Sequence, residues 1–300
     1  MRTAFRLFGI TLLLAVAGNA AAQTIFACEP EWGALTKVLL PQARVHVATH
    51  HRQNPHHIEA RPALIAQLRG ADAAICTGAS LEAAWLPLLQ QRSGNANVQP
   101  GANGMFFAAS AVDLIDARPG VGGNPFAGDV HGEGNPHFHV DPRRVDRVLD
   151  AWSQRLQALF PMHASEIVRR HAAFKTRWGE RIQEWERRAS SVRGRSVAAQ
   201  HSTFAYLWQW LGITQVADLE PKPGMPPSPA HLQSLLDRLR ANPPAAIVIN
   251  SYQDPRPGKW LSEQLGGVRW IQLAATVEDA DAPDALVRWM DQLVVELLKT

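Results

Sequence analysis

Cysteine is scarce in this chain, with only two among 300 residues. That count excludes a disulfide-dense scaffold and any metal cluster built wholly on thiolates. Charge is modest at 19%, against 46% apolar residues, so a substantial core can be buried and a disordered chain is excluded. Twenty-one glycines and twenty-one prolines are near ordinary usage and rule out collagen-like or linker-dominated architecture. No lysine- or arginine-rich run occurs. Arg169-Arg170 and Arg187-Arg188 are interleaved with acids, as on a solvated helix face, which removes the electrostatic case for nucleic acid. What the chain has in excess is histidine, twelve residues of it.

The N-terminus reads as a secretory signal peptide. Arg2 and Arg6 form a positive region, Ile10 to Ala17 is apolar apart from Thr11, and Ala20-Ala21-Ala22 supplies small residues for cleavage after Ala22. The apolar stretch is shorter than the ~20 residues that span a bilayer. Ile25-Phe26-Ala27-Cys28 distantly resembles a lipobox, but Phe26 fits such a box poorly. Losing residues 1–22 removes two arginines and no acid, so 30 basic against 27 acidic residues becomes 28 against 27. The expected product is an exported, soluble, nearly neutral protein. Export would place Cys28 and Cys76 in an oxidising compartment where two thiols pair, two buried free thiols being the alternative.

Strand and helix alternate twice over. Apolar runs at Thr24–Cys28, Arg44–Thr49 and Ala73–Thr77 read as strands, with helices at Trp32–Leu40, Pro62–Arg69 and Leu81–Gln91. The scheme repeats in strands Ser196–Gln200, Gln215–Leu219, Ala245–Asn250 and Val268–Leu273. The helices there are Thr203–Leu211, Pro229–Ala241, Lys259–Leu265 and Pro283–Leu298. This order predicts an α/β protein of two Rossmann-like lobes with parallel sheets, residues 23–161 and 192–300. Between them, Pro142 opens a helix that Pro161 breaks, and His163 to Arg188 keeps apolar residues at helical spacing. Residues 162–191 therefore read as one long rigid helix linking the lobes; a coiled-coil partner is the alternative, but no heptad is sustained.

Two turns carry most of the chemistry: Asn54-Pro55-His56-His57-Ile58-Glu59 with Pro62, and Gly134-Asn135-Pro136-His137-Phe138-His139 with Asp141-Pro142. Both present a histidine directly after Asn-Pro and ahead of a helix. His201 follows the strand Ser196–Gln200, where open α/β sheets bind ligands at strand carboxyl ends. Imidazoles in such a cluster suit zinc, copper, nickel or iron. His46, His50, His51, His163, His171 and His231 read as surface or hydrogen-bonded residues.

Together with Ala71-Asp72, Thr77-Gly78 and Leu81-Glu82, these turns make the chain resemble the periplasmic zinc-type (cluster A-I) solute-binding proteins of bacterial ABC metal importers. Cys28-Glu29-Pro30-Glu31-Trp32 with Cys76 resembles a subset in which the cysteines are bridged. The resemblance implies a monomeric receptor that captures Zn2+ between two lobes and delivers it to an ABC permease of the inner membrane. A periplasmic metallochaperone is a further candidate partner.

By motif, His56, His137 and His201 match the family's ligand positions, with His57 and His139 as adjacent competitors. Histidine at the third position favours zinc over manganese. The family's fourth ligand is an aspartate after the last strand, and here no acid stands at its immediate end. Asp279 is the assignment, with Glu278, Asp281 and Asp254 as alternatives. The Gly120–Gly134 stretch lacks a polyhistidine loop, leaving His131 as a lid candidate beside Asp129 and Glu133. An exported zinc-dependent hydrolase is the competing function, since His137-Phe138-His139 is an H-x-H pattern. No nucleophile elbow or H-E-x-x-H helix accompanies it, and Ser202 stands beside His201 with a diverging side chain. A manganese or other divalent-metal receptor of the same fold is the other alternative.

Overall fold

The computed structural model describes residues 22–117, 129–282 and 284–300. Residues 1–21 of the expected signal peptide and 120–128 of the glycine-rich stretch lie outside the described residues. The first sheet contains β1 (Thr24–Ala27), β2 (Arg44–Val47), β3 (Ala73–Cys76) and β4 (Met105–Phe107), in the order β2-β1-β3-β4. The second contains β5 (Ser196–Ala199), β6 (Thr214–Asp218), β7 (Ala246–Asn250) and β8 (Trp270–Leu273), in the order β6-β5-β7-β8. Every pairing is parallel. Both sheets thus reverse strand order beside their first strand, and that reversal opens a crevice at the strand carboxyl ends.

Cys28 and Cys76 sit at the first of these reversals, just past β1 and at the end of β3, and form a disulfide with a Cα–Cα distance of 4.7 Å. The helices α1 (Pro30–Leu39), α2 (Pro62–Arg69) and α3 (Leu86–Ser93) cover the first sheet. Helix α3 starts five residues later than the sequence suggests. Gly78, Ala79 and Ser80 all have left-handed φ, and the Glu82 side chain accepts from the amides of Thr77 and Gly78, so the chain turns before Pro87 opens the helix. The three-residue β4 is too short to show a period in the sequence.

Helices α4 (Pro142–Leu159) and α5 (Ala164–Arg188) follow, separated by a single turn at Pro161–His163. At 1.5 Å per residue, the 25 residues of α5 extend about 37 Å. Its tryptophans fasten it to both lobes. Trp178 Nε1 donates to the carbonyl of Pro142, while Trp185 packs edge-on to Trp210 of α6 (Ala205–Leu211) and donates to Asp291 of α9 (Ala285–Leu298). One hydrophobic core runs from Ile25 in β1 through Trp152, Trp178 and Trp185 to Leu297. The long helix is therefore embedded in a core shared by both lobes, which resists hinge opening. Helices α7 (Pro229–Leu239) and α8 (Arg256–Gln264) complete the second lobe. No described helix is long and apolar enough to cross a membrane.

Candidate metal centre

His56 stands in the loop after β2. The Asn54 side chain accepts from the His56 backbone amide at 3.1 Å and lies 2.7 Å from its ring Nδ1. Asparagine reaching two residues ahead is a common turn device, and Pro55 stiffens it. With Nδ1 bonded to Asn54, the Nε2 lone pair is free to face the crevice. Trp85 Nε1 clamps the same loop through the Pro55 carbonyl at 2.9 Å.

The second turn repeats the device, with Asn135 Oδ1 accepting from the His137 amide at 2.9 Å. Asn135 also ties the lobes together. Its Nδ2 donates to Ser202 and its carbonyl accepts from Tyr206 Oη. Gly134, at φ +131°, lies so close to Leu114 that a Cβ would meet the Leu114 Cβ at 2.6 Å, so the turn requires glycine.

His201 has a left-handed φ of +69°, unusual for a residue with a Cβ. Two carboxylates hold it there. Asp218 Oδ1 accepts from its backbone amide at 3.0 Å, and Glu220 Oε2 lies 2.9 Å from Nδ1. Strain of this kind collects where function demands one orientation. Here it turns Nε2 toward the first lobe.

The imidazoles converge. His137 Nε2 and His201 Nε2 are 3.3 Å apart, and His56 Nε2 and His131 Nε2 are 3.1 Å apart. A tetrahedral zinc site with bonds of about 2.0–2.1 Å has ligand–ligand edges of roughly 3.4 Å. Two donor sets, His56 with His131 and His137, and His56 with Asp129 and His201, each have their ligand atoms within 4.8 Å of one another. His56, His137 and His201 are 4%, 1% and 2% exposed.

Burial, then the neighbouring imidazoles, push the pKa values of His56 and His137 well below the usual histidine range. The same causes bring His131 down to about 4. Those rings are neutral near pH 7, with lone pairs available to a cation. His201 differs: burial alone would lower its pKa, but the Glu220 hydrogen bond and charge, helped by Asp129 and Asp218, leave it raised.

His57 is 57% exposed and reaches Asp129 at 3.3 Å instead of facing the cluster. His139 is buried and turned toward the second lobe, where its Nε2 donates to the Ala275 carbonyl at 2.9 Å and its ring stacks on Trp289. The structure does not gather the four loop acids into these donor sets. Glu278 and Asp279 are exposed, exposed Asp281 pairs with Lys37, and Asp254 pairs with Arg256 at the start of α8. The carboxylates that do surround the imidazoles, Asp218 and Glu220, escape the sequence reading. Their place at the carboxyl end of β6 is the signal that identifies them, by the rule that places His201. Asp129, 8% exposed, joins them from the glycine-rich stretch, with Oδ2 3.7 Å from His56 Nδ1. Among the remaining histidines, His163, His171 and His231 bond Gln42, Asp150 and the Asp218 carbonyl respectively.

Residues 25–300 match the family model described as zinc-uptake complex component A, periplasmic. The zinc-binding lipoprotein AdcA of Streptococcus pneumoniae strain R6 is 23% identical over 252 residues, covering 82% of this chain and 49% of the relative. The chain thus spans about half the length of the curated relatives it matches. Among solved structures, a crystal structure of ZnuA superposes with a TM-score of 0.74 at 19% identity, covering 93% of this chain and 97% of the other. The solute-binding protein FpvC of Pseudomonas aeruginosa, in complex with Mn2+, gives 0.72 at 19% identity, covering 93% and 99%.

Proposed function

Because this chain belongs to the family of periplasmic zinc-uptake components, we propose that it captures Zn2+ in the crevice between its lobes and delivers it to an ABC permease. The observation that carries the reading is the convergence of His56, His131, His137 and His201 at nitrogen separations of 3.1 and 3.3 Å along two edges. The first lobe contributes His56 and His137, the glycine-rich stretch contributes His131, and the second lobe contributes His201. Asp129 stands beside His56 as the alternative fourth donor.

An all-imidazole set favours zinc over manganese, which takes more readily to carboxylate and water oxygens. Glu220 orients His201 and raises the basicity of its ring, the arrangement that strengthens a metal-ligating histidine. A hydrolytic zinc site keeps an open position for water and a positioned base. On this reading His131 takes the fourth position, which favours a carrier over a catalyst. The shared core around α5 favours capture by movement of local loops over hinge bending. Elemental analysis of protein purified from the periplasm tests the metal: zinc in stoichiometric amount is expected, and a preparation loaded instead with manganese would overturn the assignment.

A further inference from the structure

The centre is buried, yet a receptor must exchange its ion, so some segment over the imidazoles must move. Residues Asp129 to Glu133 form such a segment, and they touch both lobes. On the first lobe, Glu133 accepts from Ser80 Oγ at 2.9 Å. On the second, the Asp129 amide donates to the Pro223 carbonyl at 3.3 Å, and the Asp129 carboxylate lies over Gly224. Between these anchors His131 reaches His56.

The seat on the second lobe is built for close approach. Gly224 has a φ of +76°, and a Cβ placed there would stand 2.9 Å from both Cγ and Oδ2 of Asp129 and 3.1 Å from its amide nitrogen. Any side chain would therefore displace Asp129 as well as strain the turn. The turn is in addition tied to the metal centre, because Glu220 Oε2 accepts from the Gly224 amide at 2.8 Å while lying 2.9 Å from His201 Nδ1.

We infer that Gly224 is a positioning residue for metal exchange: its bare Cα seats Asp129 and so clasps the Asp129–Glu133 segment across the crevice as a gate. The inference rests on the metal-receptor reading. A gate slows passage both ways, whereas a lost ligand accelerates release alone.

The test is stopped-flow kinetics of the mature chain with zinc ion and a fluorescent chelator, comparing wild type with G224A, D129A and the double variant. G94A is the control for backbone strain, since Gly94 has a φ of +63° with nothing within 4 Å of a Cβ. G224A should accelerate both capture and release about tenfold, D129A should do the same, and the double variant should match the faster single, as expected for two halves of one contact. G94A should exchange zinc at the wild-type rate. Wild-type rates in folded G224A, or effects that multiply in the double variant, would overturn the gate. If G224A fails to fold, D129A decides alone: acceleration of release without capture makes Asp129 a ligand and refutes the clasp. Wild-type protein that binds no zinc refutes the receptor reading itself, an outcome distinct from any of these.

Discussion

Glu220 and His201 form a buried carboxylate–imidazole pair, with Oε2 2.9 Å from Nδ1 and both residues at most 9% exposed. The pair fixes which nitrogen of His201 faces the first lobe. It also gives that nitrogen extra basicity when the ring is neutral. Replacing Glu220 by glutamine keeps the shape and removes the charge. Zinc affinity of E220Q should fall roughly tenfold to a hundredfold, read by competition against a chelator of known affinity. Wild-type affinity in E220Q would leave the carboxylate without a part in binding.

His131, the lid candidate of the sequence, and His57, the competitor adjacent to His56, part company in the structure. The sequence makes His57 a competitor of its neighbour His56 and His131 a lid candidate. In the structure His131 Nε2 lies 3.1 Å from His56 Nε2, while His57 stands 57% exposed on Asp129. H131A should weaken zinc binding by at least about tenfold, and H57A by less than about threefold, consistent with loss of a metal ligand against loss of an outer contact. The same chelator competition ranks them, and the reverse order would return His131 to the loop.

Proton competition should be dominated by His201. His56 and His137 are pushed well below the ordinary range by burial and by neighbouring imidazoles, and His131 is brought down to about 4. All three are therefore neutral near pH 7. His201 is raised by Glu220 against the opposing effect of burial, so it is the ring that zinc must deprotonate. Affinity should rise with pH with a slope near one proton per ion, levelling only above the ordinary histidine range of about 6.5. E220Q should shift that plateau to lower pH. Apparent Kd measured across a pH series reports both, and a flat profile below pH 6.5 would contradict the proton linkage.

In the first lobe, Glu29 and Glu82 form a second buried pair, each 3% exposed. Burial, the charge of Glu82 and that of Glu31 push Glu29 up. Burial raises Glu82 to about 7, against the hydrogen bonds it accepts from Thr77 and Gly78. The folded protein therefore holds a proton that the unfolded chain releases near 4.5, so the stabilisation is complete below 4.5 and is lost as pH rises through about 7. Thermal midpoints recorded with chelator present should decline over that range in wild type. E29Q, whose amide donates to the Glu82 carboxylate without titrating, should show a flatter decline. Parallel curves would mean that the pair does not share a proton.

The two lobes and the strut are readable because their signals are local. Alternating apolar runs mark the strands, and Ile167, Phe174, Trp178 and Trp185 keep one helical face of α5 buried over about five turns. The Asn-Pro-His turns are readable for the same reason, since Asn54 and Asn135 bond amides two residues away. What stays hidden depends on distance along the chain. Asp218 and Glu220 acquire meaning only when β6 pairs with β5 and brings them beside His201. Asp129 does so only when it meets Gly224, ninety-five residues on. The acids after β8 look suitable in sequence, but Asp279 and Asp281 face solvent, where Asp281 pairs with Lys37 of α1.

The proposed function requires one zinc ion held by histidines drawn from both lobes. Competition titration of the wild-type chain, H137A and H201A tests it most directly. One ion per wild-type chain is expected, with an affinity reduced by at least about a hundredfold in each variant, the order expected when a ligand is removed from a four-coordinate site. Zinc bound with wild-type affinity by H201A, or no zinc bound by the wild type, would contradict it.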